Sequence, residues 1–309
     1  MSIYFECTED KKFREQIVLQ KIDEWIHSDA LGDIIKSFGK NIPKSNNLKN
    51  SIEWLLKFSD EWDYRRKQQD AKDDKTNEAA RWLVNDNEIT QKQKAAVLGG
   101  IEKLGFVGVD TPCRRNYNYI VALGGARLSC LLRPRYAYEI MKKYFIAPKA
   151  IIMLSGFRPI ADSEREATDT YAKNAETEFD LICRGAEQCF GISAYEEERH
   201  DDININSSWA MRTYKNNPPV IVIAAPSTAP DKRRANTSDT YKFFFEKYQV
   251  AECAKLLFIT SQIYVPYQQL EAVRTLAIPN NIFVETIGFP NSWSGNLQGM
   301  QQSSSYLQE

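Results

Sequence analysis

Hydrophobic residues cluster in five short runs in the C-terminal two thirds of the chain, and each run is four or five residues long. Runs that are apolar on both faces, separated by stretches long enough for a helix, are typical of a parallel sheet covered by helices. The sequence therefore predicts an α/β domain over residues 115–297, with a Rossmann-like parallel sheet of about five strands. The runs are Tyr119–Leu123, Ala150–Leu154, Val220–Ala224, Leu256–Ile259 and Ile282–Glu285.

The pattern of residues 1–114 is helical instead. Trp54, Phe58 and Trp62 recur at a spacing of four residues, which places them on one face of a helix. The segment Thr90–Gln93 has the sequence of a capping box, in which a threonine and a glutamine bond the free backbone N–H groups where a helix begins. We therefore expect an all-helical N-terminal region before the α/β domain.

The composition narrows the class of protein. Forty basic against 41 acidic side chains leave a net charge of −1, which gives no indication of a nucleic-acid partner. No apolar run approaches the roughly 20 residues of a membrane helix, and no signal peptide is recognisable, so a cytoplasmic protein without a membrane partner is expected. The Gln- and Ser-rich residues 298–309 predict a flexible tail.

The cysteines and histidines exclude several catalytic classes. Six scattered cysteines without a C-x-x-C pair are typical of free thiols in a chain of this kind, and they predict no metal site. The only two histidines, His27 and His200, leave little material for a zinc site or a Ser-His-Asp triad.

Polar residues and glycines follow four of the predicted strands. Ligands of open parallel sheets bind at the carboxyl ends of the strands, so these residues are the candidates for a binding site. Glycines allow a ligand to approach the backbone, and arginines offer paired donors to phosphate or carboxylate. The candidate ligand-binding residues are Gly124, Gly125, Arg127, Arg133, Arg135, Ser155, Gly156, Arg158, Asn236, Thr237, Tyr241, Ser261, Gln262 and Tyr264.

Acidic residues after the second strand are the candidates for catalysis. Glu164, Glu166 and Glu178 could act as a general base or, with an extended backbone, hold a divalent metal ion. On a helix, Glu164 and Glu166 would point apart and be surface charge. For Asn236, capping of the following helix is the alternative to ligand binding.

The order of these motifs resembles a known family. Leu123–Gly125, Leu154–Gly156, Arg234–Thr237 with Tyr241 nearby, and Ile259–Ser261 occur in the order found in the bacterial YdcF/SanA/ElyC-like family. The resemblance covers residues 115–290 and implies a Rossmann-like domain that binds a nucleotide-like ligand such as S-adenosylmethionine.

The sequence also departs from that family. Tyr264 and Tyr267 stand where the family usually has His and Arg, so chemistry that depends on that histidine is not implied. A phenol titrates near 10, and we therefore expect Tyr264 to orient a ligand rather than transfer a proton. The membrane anchor of SanA and ElyC is not expected in this chain, so their envelope role is not implied, and the helical N-terminal region is not part of the family domain.

Three functions remain open on this basis. The first is an enzyme, a transferase or hydrolase, that binds a phosphorylated or nucleotide-like small molecule at the sheet edge. The second is a non-catalytic module that senses a ligand or binds a partner, with the helices as the interacting part. The third is an S-adenosylmethionine-dependent transferase, which the Gly124–Gly125 turn permits although no acidic residue is well placed for the ribose hydroxyls.

Overall fold

The structure is a computed structural model, and the chain divides into two compact units. One unit contains Glu15–Gly108, and the other contains Val109–Phe289 together with the start of the first helix up to Arg14. The predicted tail, residues 298–309, lies outside the described residues. The structure describes residues 10–45, 47–60, 89–108, 110–125, 127–160, 162–290 and 292–293.

Every secondary-structure element described in the first unit is a helix, as predicted. The capping box of α4 is present, since the Thr90 hydroxyl accepts a hydrogen bond from Gln93 N at 3.3 Å and the Gln93 side chain accepts one from Thr90 N at 2.8 Å. On α3, the rings of Trp54 and Phe58 stack with their centroids 5.1 Å apart, whereas Trp62 is outside the described residues. The helices are α1 (Lys11–Ile26), α2 (Asp29–Ser37), α3 (Leu48–Asp60) and α4 (Gln91–Gly100).

The second unit is the predicted α/β domain. All residues of β1, β2 and β5 are buried, which explains why these strands are apolar on both faces. The strands are β1 (Tyr119–Leu123), β2 (Ala150–Ser155), β3 (Tyr195–His200), β4 (Trp209–Tyr214), β5 (Val220–Ala224), β6 (Lys255–Ser261) and β7 (Phe283–Phe289). The helices are α5 (Arg127–Lys143), α6 (Asp162–Asp169), α7 (Glu178–Phe190), α8 (Thr237–Tyr248), α9 (Val265–Ala272) and α10 (Ile278–Asn280), with a π-helical turn at Val273–Ala277 between the last two.

The strand order is β3-β4-β5-β2-β1-β6-β7, and the five strands from β5 to β7 are parallel. The chain moves from β1 through β2 to β5 on one side, and then returns to place β6 and β7 on the other side of β1. The order therefore reverses between β1 and β6, and the crevice at their carboxyl ends is the usual ligand position in such sheets.

The sheet has two strands more than predicted. β3 and β4 form an antiparallel hairpin that pairs with β5 and extends the sheet at one edge. All six residues of β3 are exposed and most are charged, so the strand lacks the apolar pattern that marks the five central strands. Its position at the sheet edge, where both faces meet water, permits that composition.

The structure also bears on the expectations about cysteines and membrane helices. Cys113, Cys130, Cys183 and Cys189 are free, as predicted, but Cys253 is disulfide-bonded, so the prediction of free thiols is wrong for this residue. Sequence spacing does not indicate which cysteines the fold brings together. Among the described residues, no helix has the length and apolar character needed to span a membrane.

Candidate functional site

The turn after β1 packs directly on the neighbouring strand β2. Gly124 N donates a hydrogen bond of 2.5 Å to the Leu154 carbonyl, and a Cβ on Gly124 would lie 2.6 Å from the same oxygen. Only glycine fits at this distance, because real Cβ atoms are not found so close to a carbonyl oxygen. Gly124 is thus required by the fold.

Arg133 occupies the crevice where the strand order reverses. This α5 side chain is almost completely buried, and its guanidinium donates to the carbonyls of Leu123, at 3.0 Å, and of Gly124 at the end of β1. It also donates to the Ser261 hydroxyl at the end of β6, at 3.2 Å. Burial lowers the pKa of Arg133, although its charge is supported by these acceptors. The guanidinium therefore joins β1 to β6 from within.

Glu178 is the acidic candidate that the structure places at this edge. It is the first residue of α7, and its carboxylate accepts a hydrogen bond of 2.5 Å from Arg158 Nε, which follows β2. Burial raises the pKa of the Glu178 carboxyl, while the charges of Arg158, Arg234 and Arg133 oppose that rise. A buried carboxyl and three guanidinium groups thus share one electrostatic environment.

Local hydrogen bonds fix Glu178 beside Arg158. Ile160 N donates to the Glu176 carbonyl at 3.0 Å, and Glu178 N donates to the Arg158 carbonyl at 2.9 Å. These two hydrogen bonds hold the segment after β2 against the segment before α7. A capping box formed by Thr177 and Asp180 sets the start of α7 and completes the arrangement.

Several predicted ligand-binding side chains are used by the fold itself. The Ser155 hydroxyl donates to the Ile223 carbonyl at 3.1 Å, and the fully buried Tyr241 donates to Gln268 Oε1 at 2.9 Å. Asn236 caps α8 by accepting from Asp239 N at 3.0 Å. Buried Gln262 donates to Asp110 at 2.8 Å. For these residues the structure favours a structural role, because each side chain already makes a hydrogen bond within the protein.

The remaining candidates are dispersed. Arg135 is exposed on α5, and its charge opposes the rise that burial causes in the pKa of the Cys189 thiol on α7. It therefore does not join Arg133 at the reversal point. Glu166 is exposed on α6, as the surface alternative predicted. The side chains of Arg127 and Glu164 lie outside the described part of the structure. Gly125, Gly156, Thr237 and Tyr264 are partly exposed at the carboxyl edge, and the Tyr264 ring centroid lies 6.0 Å from the Arg133 guanidinium carbon.

Arg234 is the residue that the sequence interpretation omitted from the site. It is exposed in the loop before α8, and within the described residues its guanidinium forms no ion pair, although its charge acts on Glu178. The signal was available, since Arg234 begins one of the family-like motifs, but nothing in the sequence indicated that its charge acts on Glu178. Nor does any group of three His, Cys, Asp or Glu side chains in the described ranges come close enough to hold a metal ion.

Comparison with known proteins relates the chain to a family. Residues 9–105 match the family model of the Rv3785 N-terminal domain. The uncharacterized protein Rv3785 of Mycobacterium tuberculosis H37Rv is 31% identical over 284 residues, covering 87% of this chain and 79% of that protein. The chain belongs to the Rv3785 family.

The uncharacterized protein Mb3814 of Mycobacterium bovis, another Rv3785-family protein, matches with the same identity and coverage. A match over 87% of the chain includes parts of both units, so the Rv3785 family combines the helical region with the α/β domain. No solved structure matches this Rv3785-family chain.

Proposed function

We propose that the carboxyl edge of the sheet binds a phosphorylated or nucleotide-like small molecule. The observation that carries this proposal is the ion pair of 2.5 Å between Arg158 and buried Glu178 after β2, on which the charges of Arg234 and Arg133 also act. Guanidinium groups bind phosphate through paired hydrogen bonds, and a carboxyl group among them balances the positive charge while the site is empty of ligand.

The position of Arg158 favours a phosphate over a ribose. In Rossmann-like domains, an acidic residue that follows the second strand binds the ribose hydroxyls, whereas an arginine there accommodates a phosphate. Here β2 ends at Ser155 and is followed by Gly156, Phe157 and Arg158, none of which is acidic. A phosphorylated ligand therefore fits this site better than S-adenosylmethionine, the ligand that the resemblance to the YdcF-like family implies.

In this proposal Arg234 is the first contact for the ligand and Arg158 the second. Arg234 is exposed, and Arg158 can exchange the carboxylate of Glu178 for a phosphate oxygen. Glu178 would then be released near the ligand and could accept a proton from a hydroxyl group or from water, as a general base does. This makes an enzyme, a transferase or hydrolase, the function that the site supports best.

The test compares binding across a fixed set of compounds. Inorganic phosphate, ribose 5-phosphate, ADP and S-adenosylmethionine would be titrated by calorimetry, together with mass spectrometry of small molecules released from the denatured protein. We expect a phosphorylated compound to bind and S-adenosylmethionine not to bind. Arg234→Ala should weaken binding at least tenfold, whereas Lys232→Ala, which removes an exposed cation two residues away, should not. Equal binding by both variants would place the ligand elsewhere, and binding of S-adenosylmethionine alone would support the transferase alternative.

A further inference from the structure

The outer edge of β3 is open. All six residues of this strand are exposed, and within the described part of the chain β4 is its only partner strand. The register with β4 runs without a bulge from Tyr195 opposite Tyr214 to His200 opposite Trp209, and β3 contains no proline. Monomeric proteins usually protect a sheet edge with a bulge, a proline, a very short strand or charged side chains. Of these β3 has only the charged side chains, so its outward backbone groups are available to a strand whose charges complement its own.

We propose that β3 pairs antiparallel with β3 of a second copy of this chain, with the two-fold axis passing through Glu198. The axis must be perpendicular to the sheet, so residues directly opposite each other lie on the same face. In this register Glu197 is opposite Arg199 of the second copy and Glu196 is opposite His200 of the second copy. The two sheets would form one continuous sheet through backbone hydrogen bonds.

The order of charges in β3 selects this register. Three glutamates are followed by an arginine and a histidine, so the strand is complementary to itself when read in the opposite direction. An axis through Glu197 would place Glu196 opposite Glu198, and an axis through Arg199 would place two arginines face to face. Opposite charges across a strand pair stabilise it, whereas like charges destabilise it.

The like-charged pair at the axis is compensated within each chain. Glu198 lies 2.8 Å from Lys247 Nζ of α8, so each central carboxylate carries its own counter-charge. On the other face, Glu197 accepts from Arg212 at 2.7 Å through Oε2, while its Oε1 is only 3.8 Å from Arg199 of the same chain. In the proposed pair, Oε1 would accept from a terminal nitrogen of Arg199 of the second copy, since the Nε of each Arg199 already donates to Asp201 of its own chain at 2.6 Å.

Exposed apolar residues lie at both ends of the strand. Tyr195, at the start of β3, is 46% exposed, and Ile203, in the turn after β3, is fully exposed. Antiparallel pairing about Glu198 brings Tyr195 opposite residue 201 of the second copy, next to the turn that carries Ile203. Two such contacts, related by the axis, would remove apolar surface from water at both ends of the pair.

A second copy fits this edge better than a basic peptide does. Glu196, Glu197 and Glu198 already have Lys215, Arg212 and Lys247 as partners within the chain, at 2.9, 2.7 and 2.8 Å. A purely basic strand would gain only what these paired acids still offer, and it would place a cation opposite Arg199. The same strand in the opposite direction supplies both signs of charge together with the apolar ends.

Disulfide trapping tests the register. In a Cys113→Ser background, which removes an exposed free thiol, Glu198→Cys places two thiols directly opposite each other across the axis, with Cβ atoms about 5 Å apart. The matched control Glu196→Cys separates the two thiols by four residues of strand, about 13 Å. Under mild oxidation we expect the Glu198→Cys chain to form a covalent dimer and the Glu196→Cys chain not to form one.

Sedimentation of the unmodified chain provides the second measurement. We expect a concentration-dependent dimer whose dissociation constant rises at least tenfold in Ile203→Asp. The control Phe145→Asp, which changes an 86% exposed side chain outside the hairpin, should leave the constant unchanged. A chain that remains monomeric at its highest soluble concentration overturns the proposal. So does a dimer that is indifferent to Ile203→Asp, or equal trapping of the two cysteine variants.

Discussion

Arg133 and Ser261 are joined by a hydrogen bond of 3.2 Å between the guanidinium and the hydroxyl, at the point where the strand order reverses. In related folds this crevice receives part of a ligand. Here a side chain of the protein fills it and bonds the last carbonyls of β1 as well. In the proposed function the ligand would therefore lie toward β2 and β5, where Arg158, Glu178 and Arg234 are found.

Replacement of Arg133 should destabilise the fold. Arg133→Met would leave the carbonyls of Leu123 and Gly124 and the Ser261 hydroxyl without their buried donor, and we expect a loss of about 3 kcal/mol in the free energy of unfolding. Arg135→Met is the matched control, because Arg135 is exposed on the same helix. Urea denaturation measures both variants, and equal stability would show that Arg133 does not hold β1 to β6.

The buried carboxyl of Glu178 should lower the free energy of unfolding, as groups at functional sites typically do. Burial raises its pKa above that of an unfolded chain, so the folded state loses stability as the pH rises through this raised pKa. Glu178→Gln removes that loss, and we expect it to be more stable than the parent at pH 7 while any turnover is lost. A variant that is less stable than the parent at pH 7 would make the Arg158 pair a structural element instead.

Asp239 should produce the opposite dependence on pH. Burial acts to raise its pKa, but hydrogen bonds from Arg233, Asn236 N and Thr228 outweigh burial and bring the pKa to about 2. The carboxylate thus stabilises the folded state above its unfolded pKa near 3.8, and this contribution is lost as the pH falls toward 2. Asp239→Asn should lower the free energy of unfolding at pH 7 by roughly 1–2 kcal/mol, since Arg233 is partly screened by solvent.

The comparison for Asp239 is the slope of stability against pH. Between pH 5 and 2 the parent should lose stability more steeply than the Asn variant, because only the parent binds an additional proton on unfolding in this range. Parallel curves in acid denaturation would contradict the assignment.

A glycine at the contact between α5 and α7 should resist substitution. A Cβ on Gly185 would lie 2.2 Å from the Cys130 carbonyl oxygen, so the helices would have to separate. We expect Gly185→Ala to cost about 2–3 kcal/mol. Gly32→Ala, also within a helix but with no atom within 4 Å of its Cβ, should instead be stabilising by about 0.5–1 kcal/mol. Thermal denaturation followed by circular dichroism distinguishes the two, and a tolerated Gly185→Ala would contradict the close approach.

The sequence by itself determined the class of the fold. Burial on both faces forces a central parallel strand to be apolar throughout, so β1, β2 and β5 are visible as short runs without any knowledge of their neighbours. Helix starts are equally local, because a cap is made by residues three positions apart. The capping boxes at Thr90 and Asn236 show this.

Tertiary structure alone decided what each polar residue does. Arg133 and Arg135 are similar in sequence, yet one is buried at the strand reversal and the other is exposed, because residues two apart on a helix point to different faces. Glu178 is held beside Arg158 by hydrogen bonds between the segments after β2 and before α7, whereas Glu166 is exposed on α6. Such roles depend on partners that lie far apart in the chain, and local patterns contain no information about them. The sequence did not predict the hairpin of β3 and β4 for a related reason. An exposed edge strand is held by hydrogen bonds to the strand beside it, and its own side chains need not be apolar.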